Sequence, residues 1–372
     1  MYDAIIVGAR CAGSATARLL AQRGQRVLLV DRASFPSDTV STHCITAGGV
    51  AQLERWGLLD RVLATNVPAV NSFTLTIGAM ELANPLPVDE GAVGSTSPRR
   101  TVLDKLLVDA AVEAGAELRE GVTFRDVLRD PASGAVVGIV GTTASGEAVE
   151  ERAAVVIGAD GTHSNVAEAV GAERYNLRQS HGSGYYAYFS GFPATAVELA
   201  FNKHHFAGVF PTNDEQTCVF AGRAEDDFAA FKDDVDAGHL ACLDTASPRL
   251  GEWMRSAARE SRWYAFRAQE CFFRKPFGDG WALVGDAGYY KDPVTGHGIT
   301  DAFRDAELLA NALTSDGGDL ASYQARRDDM SAEIYSATQD IADLAWDDNG
   351  LVEIFMRFGA AVEKERLEIT AF

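Results

Sequence analysis

The opening of the chain confines its fold most tightly. An apolar run over residues 3–7, Asp-Ala-Ile-Ile-Val, leads straight into Gly8-Ala9-Arg10-Cys11-Ala12-Gly13. Residues 11–23 then place Ala17, Leu19 and Leu20 for helical contacts, and Gly24 stops the run. A second apolar run over 26–30 closes on Asp31. The pattern predicts strand, helix, strand within about thirty residues, the start of a β–α–β unit. A glycine turn at such a junction has a particular use. Gly8 suits the tight turn, and Gly13 lets the helix pack closely on the strand. The helix N-terminus then offers free N–H groups and positive dipole to a pyrophosphate. The dipole alone contributes about 0.3–1 kcal/mol when exposed and up to ~2 kcal/mol when partly buried, so the amides matter as much.

Arg10 stands where the G-x-G-x-x-G spacing has its middle glycine. Its side chain must point away from the backbone approach, toward a phosphate. Asp31, 18 residues after Gly13, suits either an adenosine ribose or a plain strand-end cap. Arg32 follows it, placed to flank the adenine.

Two later segments repeat the theme. Gly158-Ala159-Asp160-Gly161-Thr162-His163-Ser164 follows the apolar run 153–157. A glycine-flanked Asp at the carboxyl end of a strand sits where open α/β sheets take ligands; it is equally an ordinary Asp-Gly turn. Gly285-Asp286-Ala287, Pro293 and Gly296-His297-Gly298-Ile299-Thr300 follow the strand expected at 281–285 and open a helix. Asp286 suits ribityl hydroxyls, and Gly296 and Gly298 leave backbone N–H groups bare at the helix start. Such amides stabilise negative charge at N1 and O2 of a reduced flavin.

Helices are also expected over 48–58, Arg100 to Ala114 and 299–314. Strands are expected over 71–77 and 80–84 as a hairpin, and over 135–143 and 153–158. Segments 184–190, 197–201, 206–210 and 216–222 read as an antiparallel sheet. The tail, 319–346 and 351–366, is helical. Its Leu351, Ile354, Phe355, Phe358 and Val362 share a face, which suits docking on the core or a homodimer contact. The 372 residues thus divide into a discontinuous nucleotide-binding domain (1–70, 99–174, 275–330), a sheet-rich substrate domain (71–98, 175–274) and C-terminal helices (331–372).

Charge and cysteine content narrow the function. The net charge of −20, with no Lys/Arg cluster, argues against nucleic acid and anionic membrane surfaces. Five cysteines, an odd number with no C-x-x-C, argue against a disulfide framework or a metal site and suit a reducing cytoplasm. Residues 1–3 carry no basic segment, and the apolar run 4–8 is far too short for a signal peptide or an integral membrane span.

Taken together, the three motifs resemble the FAD-dependent monooxygenases of the para-hydroxybenzoate hydroxylase type. They also resemble the neighbouring geranylgeranyl reductases and flavin-dependent halogenases, over roughly residues 1–330. The resemblance implies an α/β fold with a Rossmann-type FAD-binding domain, glutathione-reductase-like, carrying an inserted mixed or antiparallel sheet domain. It implies FAD held by Gly8, Ala9, Arg10, Cys11, Ala12, Gly13, Asp31, Arg32, Asp160, Gly285, Asp286, Pro293, Gly296, Gly298 and Ile299. Arg100, at a helix start, would contact the flavin side. NAD(P)H would reduce FAD without a second Rossmann domain, and O2 would add at C4a as a hydroperoxide that hydroxylates an aromatic or polyketide-like molecule. Pro293 and the loop Gly296–Gly298 would shape that side of the flavin.

Tyr186 and Tyr188 share one strand face, Tyr185 and Phe189 the other; one pair packs the core and the other lines a substrate pocket. His43, His181, His204, His205 and His297 are acid/base candidates, each with a structural alternative. His297 leads because it lies inside the flavin loop; His43 follows. The chain departs from the hydroxylases at Gly288-Tyr289-Tyr290, where many carry His, and at Thr300, where Asn is common. It lacks the Trp-x-Trp-x-x-Pro stretch of tryptophan-type halogenases. Lys291 is its one candidate for their pocket lysine, although a loop lysine is usually solvated. Reduction of isoprenoid double bonds, halogenation and, last, FAD binding without catalysis are the alternatives.

Overall fold

Strands that are apolar along their whole length must be covered on both faces, and this dictates the first sheet. The structure, a computed structural model, describes residues 1–86, 88, 91–225, 228–315 and 319–372. The sheet's central path runs Phe277–Gly278, Trp281–Leu283, Ala148–Gly158, Tyr2–Val7, Val27–Asp31, Glu117–Glu120. The last five of these pair in parallel. Val7 lies opposite both Val30 and Gly158, and Leu283 lies opposite Gly158. Four strands therefore end at one level, and Gly8, Asp31, Ala159 and Val284 follow at that rim. The helices Cys11–Gln22, Arg100–Glu113 and Gly298–Thr314 pack with the sheet in one apolar core.

Two strands on this sheet are not evident in the apolar pattern. Glu117–Glu120 and Val122–Arg129 carry charges at alternate or adjacent positions and are only partly buried. The second is joined antiparallel to Val136–Thr143, which in turn pairs with the first half of Ala148–Gly158.

The second sheet is mixed. Its order is Ala258–Arg259, Gly182–Ser190, Thr217–Ala224, His205–Pro211, Val197–Asn202, Ser72–Ile77, Met80–Pro85. Val197–Asn202 meets Ser72–Ile77 in parallel, and the other neighbours are antiparallel. One face carries Tyr185 and Phe189 and is covered by the helices Val235–Ala246 and Pro248–Ser256, together with Phe228 and Phe231. The other face carries Tyr186, Tyr188, Phe201, Phe206, Phe210 and Phe220, and packs on Cys44, Val70, Leu351 and Phe355. A third sheet joins Tyr289–Tyr290, Glu270–Arg274 and Arg174–Gln179.

Two long helices, Leu320–Ala342 and Asp348–Thr370, close the fold. Leu351 and Phe355 are buried against the second sheet, and Ile354 and Phe358 pack partly with them. The shared face of this tail is thus spent within the chain, while Met356 and Leu367 stand exposed. No described helix is long and apolar enough to cross a membrane.

Candidate active site

The three glycine turns meet at the rim of the first sheet. Gly8 has φ +106, and a Cβ there would lie 2.4 Å from the Ala159 carbonyl oxygen. A Cβ on Gly13 would lie 1.8 Å from the Gly8 oxygen, so the helix Cys11–Gln22 sits directly on the turn. Gly285, at φ +60, would place a Cβ 2.7 Å from the Ala12 side chain. Backbone at Gly8 and Gly13, and the Ala12 methyl at Gly285, has taken the space of three side chains, which is why glycine stands at each position. The segments around 8, 160 and 286 are thereby pressed into one cluster.

Bare amides surround that cluster. The helix Cys11–Gln22 starts after Arg10, and the helix Gly298–Thr314 after His297; neither has a side-chain cap. Their first N–H groups lack the partners that helix starts normally recruit. Gly298 is exposed, and a Cβ on it would meet nothing within 4 Å. Gly298→Ala is therefore expected to leave the melting temperature unchanged or slightly higher, since Ala favours a helix over Gly by up to about 1 kcal/mol. Flavin titration of the same variant should show weaker binding, because the methyl group projects into the open side of the loop.

Asp286 faces this space. Its side chain is exposed and accepts no hydrogen bond from any described residue. Protein crowding around it nonetheless pushes its carboxyl up to about 6, with Lys291 and Arg100 pulling it down. A carboxylate that protein solvates poorly and leaves unpaired is suited to ligand hydroxyls.

The other cofactor candidates divide in two. Asp31 accepts the Ala9 N–H at 2.7 Å and the Ala33 N–H at 2.8 Å, so its carboxylate ties the glycine turn to the strand end. Arg32 is exposed beside it. Asp160 turns back on its own chain, accepting from the Ser164 hydroxyl at 2.5 Å and the Asn165 N–H at 2.8 Å. Its side chain holds the start of the helix Asn165–Ala169, and its backbone abuts Gly8. Arg10 corrects the expectation of a phosphate contact. Its guanidinium reaches Asp104 at 2.7 Å and donates to the Ser37 hydroxyl and the Asp38 carbonyl at 3.0 and 3.1 Å. The same buried Asp104 takes Arg100 Nε at 3.0 Å and the Cys11 thiol at 3.3 Å. Burial works against the Arg100 charge, but Asp104 outweighs it and keeps the group protonated. Asp104 was not legible in the sequence, since an acid inside an amphipathic helix ordinarily faces solvent.

The histidine candidates lie elsewhere than their sequence positions suggest. His297 is 1% exposed, with Nε2 2.6 Å from Glu365 and Nδ1 3.5 Å from the Thr46 hydroxyl. Burial lowers its pKa and Glu365 only partly restores it. Against a carboxylate, Nε2 is the ring nitrogen that donates. Nε2 thus faces the last helix, where Glu365 holds it. His43 is fully buried at φ +66, with Nε2 2.7 Å from the Tyr188 hydroxyl. Burial, then Arg100 and Arg99, push its pKa down to about 3. His181 and His204 are exposed and His205 is half-buried.

Tyr186 and Tyr188 are likewise sealed. The Tyr186 hydroxyl accepts the Ser41 N–H at 3.3 Å, and Arg99 lies 4.3 Å over the Tyr188 ring. The cavity beside the flavin loop is lined instead by Thr42, Phe206, Phe210, Phe220 and Phe266, facing Pro293 and Val294. It measures ≈ 20 Å³. These phenylalanines come from three strands, His205–Pro211, Thr217–Ala224 and Tyr264–Phe266, and no local pattern in the sequence brings the three together. Pro293 opens the short turn Pro293–Thr295, Gly296 takes φ +68, Ile299 is buried, and Thr300 binds the Thr46 hydroxyl at 2.9 Å. Lys291 also departs from expectation. It is 6% exposed and paired with Asp301, with its pKa lowered to about 7 by burial and then by Arg304.

This rim fits a dinucleotide: uncapped helix starts for phosphates, an unpaired carboxylate for hydroxyls, and glycines where side chains would intrude. Residues 1–338 match the sequence profile of the FAD binding domain family. The chain belongs to that family. It is a flavoprotein of the oxidoreductase class. It is 27% identical over 334 residues to menaquinone reductase of Mycolicibacterium smegmatis, covering 85% of this chain and 77% of that one. Conditioned medium factor receptor 1 of Dictyostelium discoideum is 25% identical over 335 residues; the match takes in 84% of this chain but only 63% of that protein. In three dimensions the chain resembles PqsL, a probable FAD-dependent monooxygenase from Pseudomonas aeruginosa, with a TM-score of 0.81 at 20% identity, covering 95% of this chain and 99% of that one. Other family members are named as monooxygenases, reductases and a brominase.

Proposed function

We propose that this protein is an NAD(P)H-dependent monooxygenase that hydroxylates an aromatic or polyketide-like small molecule in the cytoplasm. The observation that carries this reading is the juxtaposition of the glycine turn at Gly296, where an added Cβ would lie 3.5 Å from the Phe210 ring, with an aromatic wall of four phenylalanines. Redox chemistry at the site comes from FAD, which carries electrons between a nicotinamide and O2. The residues do the rest. The Cys11–Gln22 helix start receives the pyrophosphate, Asp31 and Asp286 take ribose and ribityl hydroxyls, and Arg100 lies on the flavin side. The amides at Gly296 and Gly298 meet the negative charge that reduction places on the ring. Thr42, Phe210, Phe220 and Pro293 exclude water from the reacting face. In keeping with a reducing compartment, all five cysteines are free and buried.

A flavin-dependent reductase of isoprenoid-type double bonds is the second reading, favoured by the apolar lining of the cavity and by the menaquinone and digeranylgeranylglycerophospholipid reductases among the relatives. Halogenation is the weaker reading, because the Lys291 ammonium is held against Asp301. The test is anaerobic reduction by NADH or NADPH across a panel of aromatic, polyketide and polyprenyl substrates, followed by O2 and product mass. A gain of one oxygen is expected. A gain of two hydrogens without O2 would replace the proposal with the reductase.

A further inference from the structure

The last helix reaches back into the site. Glu365 is buried, and its carboxylate grips two groups at once: His297 Nε2 at 2.6 Å and Arg304 Nη1 at 2.5 Å. His297 is the residue between Gly296 and Gly298, and Arg304 lies two turns into the helix that those glycines open. Arg304 is held further by Asp301 at 3.0 Å and Asp305 at 2.7 Å, and Asp301 takes Lys291 from the same loop. Loop, helix start and final helix are thus knitted by one buried ionic cluster. Burial opposes ionisation of Glu365, yet His297, Arg304 and Lys291 together keep its pKa below the usual carboxylate range.

A glycine at each side of His297 makes this segment intrinsically loose. Its backbone amides can be aimed only if something outside the segment holds it. Other contacts on the His297 ring are weak: the Thr46 hydroxyl at 3.5 Å and the Phe358 ring at 6.4 Å. We propose that Glu365 is a positioning residue for the flavin: through His297 it fixes the orientation of the Gly296–Gly298 amides toward the reduced ring. The inference rests on the FAD reading given above.

Because the amides act on negative charge, loosening them should weaken the reduced flavin more than the oxidised one. Glu365→Ala is expected to lose about tenfold in affinity for reduced over oxidised FAD, which lowers the two-electron midpoint potential by about 30 mV. Glu365→Gln, whose amide oxygen can still accept from His297, should recover most of that shift. Hydrogen exchange of the segment 292–300 in flavin-free Glu365→Ala should be faster than in wild type, a readout that needs no bound flavin. His297→Asn shortens the gripped arm while leaving Glu365 on Arg304, and is expected to shift the potential in the same direction. Folded Glu365→Ala with wild-type potential and wild-type exchange would overturn the inference; should that variant not fold, a wild-type potential in His297→Asn would do so. Wild-type protein that binds no flavin would instead overturn the FAD reading itself.

Discussion

Asp286→Ala is expected to bind FAD on the order of 100-fold more weakly than wild type, as a charge-assisted hydrogen bond contributes about 1.5–3 kcal/mol. The argument is that this carboxylate has no other employment: it faces the open rim, receives nothing from the described residues, and is crowded enough to be pushed up to about 6. The same crowding fixes the sign of the effect on folding. A carboxyl whose folded pKa lies above its unfolded value costs stability once pH rises past the unfolded value. Flavin-free Asp286→Ala should therefore unfold at neutral pH in no less urea than wild type, and in somewhat more. Fluorescence titration and urea midpoints measured on one preparation separate the two effects. Unchanged affinity would remove Asp286 from the site.

The opposite outcome is expected one layer deeper. Asp104 is 0% exposed and compensates Arg10 and Arg100 together. Asp104→Ala leaves two guanidinium groups facing each other, one of them buried, without a counter-charge. Removing one partner of a buried pair costs about 3–5 kcal/mol, and this variant should lose stability on that scale. It should also loosen Arg10, and with it the turn at Gly8, so flavin affinity falls too. Urea denaturation of the flavin-free protein reads the first effect directly; a midpoint within error of wild type would show that the cluster contributes little.

The contrast between these two residues marks what the sequence could disclose. Gly8, Gly13, Asp286 and Gly298 are recognisable because a tight turn, a close approach or a bare amide demands a particular residue type at a fixed distance from a strand end. The parallel sheet is recognisable for a similar reason, since continuous apolar runs such as 3–7 and 26–30 have few other uses. Long-range pairings carry no such signature. Nothing local distinguishes Asp104 from a solvated helix acid, or Glu365 from its exposed neighbour Lys364. His297 and Tyr188 illustrate the reverse error: a plausible neighbourhood in sequence, yet ring directions set by Glu365 and His43 from distant segments. The helix Val235–Ala246 escaped notice because its periodicity is weak, and Pro248–Ser256 because it is amphipathic over only nine residues; both are fixed by the sheet face they cover.

The position of the helix Asp348–Thr370 has a consequence for how the protein folds. Glu365 completes the packing around His297, and Ile369 is buried against Gly48 while its carbonyl accepts from Arg55. His297 lies 68 residues before Glu365, and Arg55 lies 314 before Ile369. Until that helix docks the rim is unfinished, however well the strands of the first sheet have paired. Order in the cofactor loop thus waits on a contact of high sequence separation, the kind that forms late because its loop-closure cost must be met first.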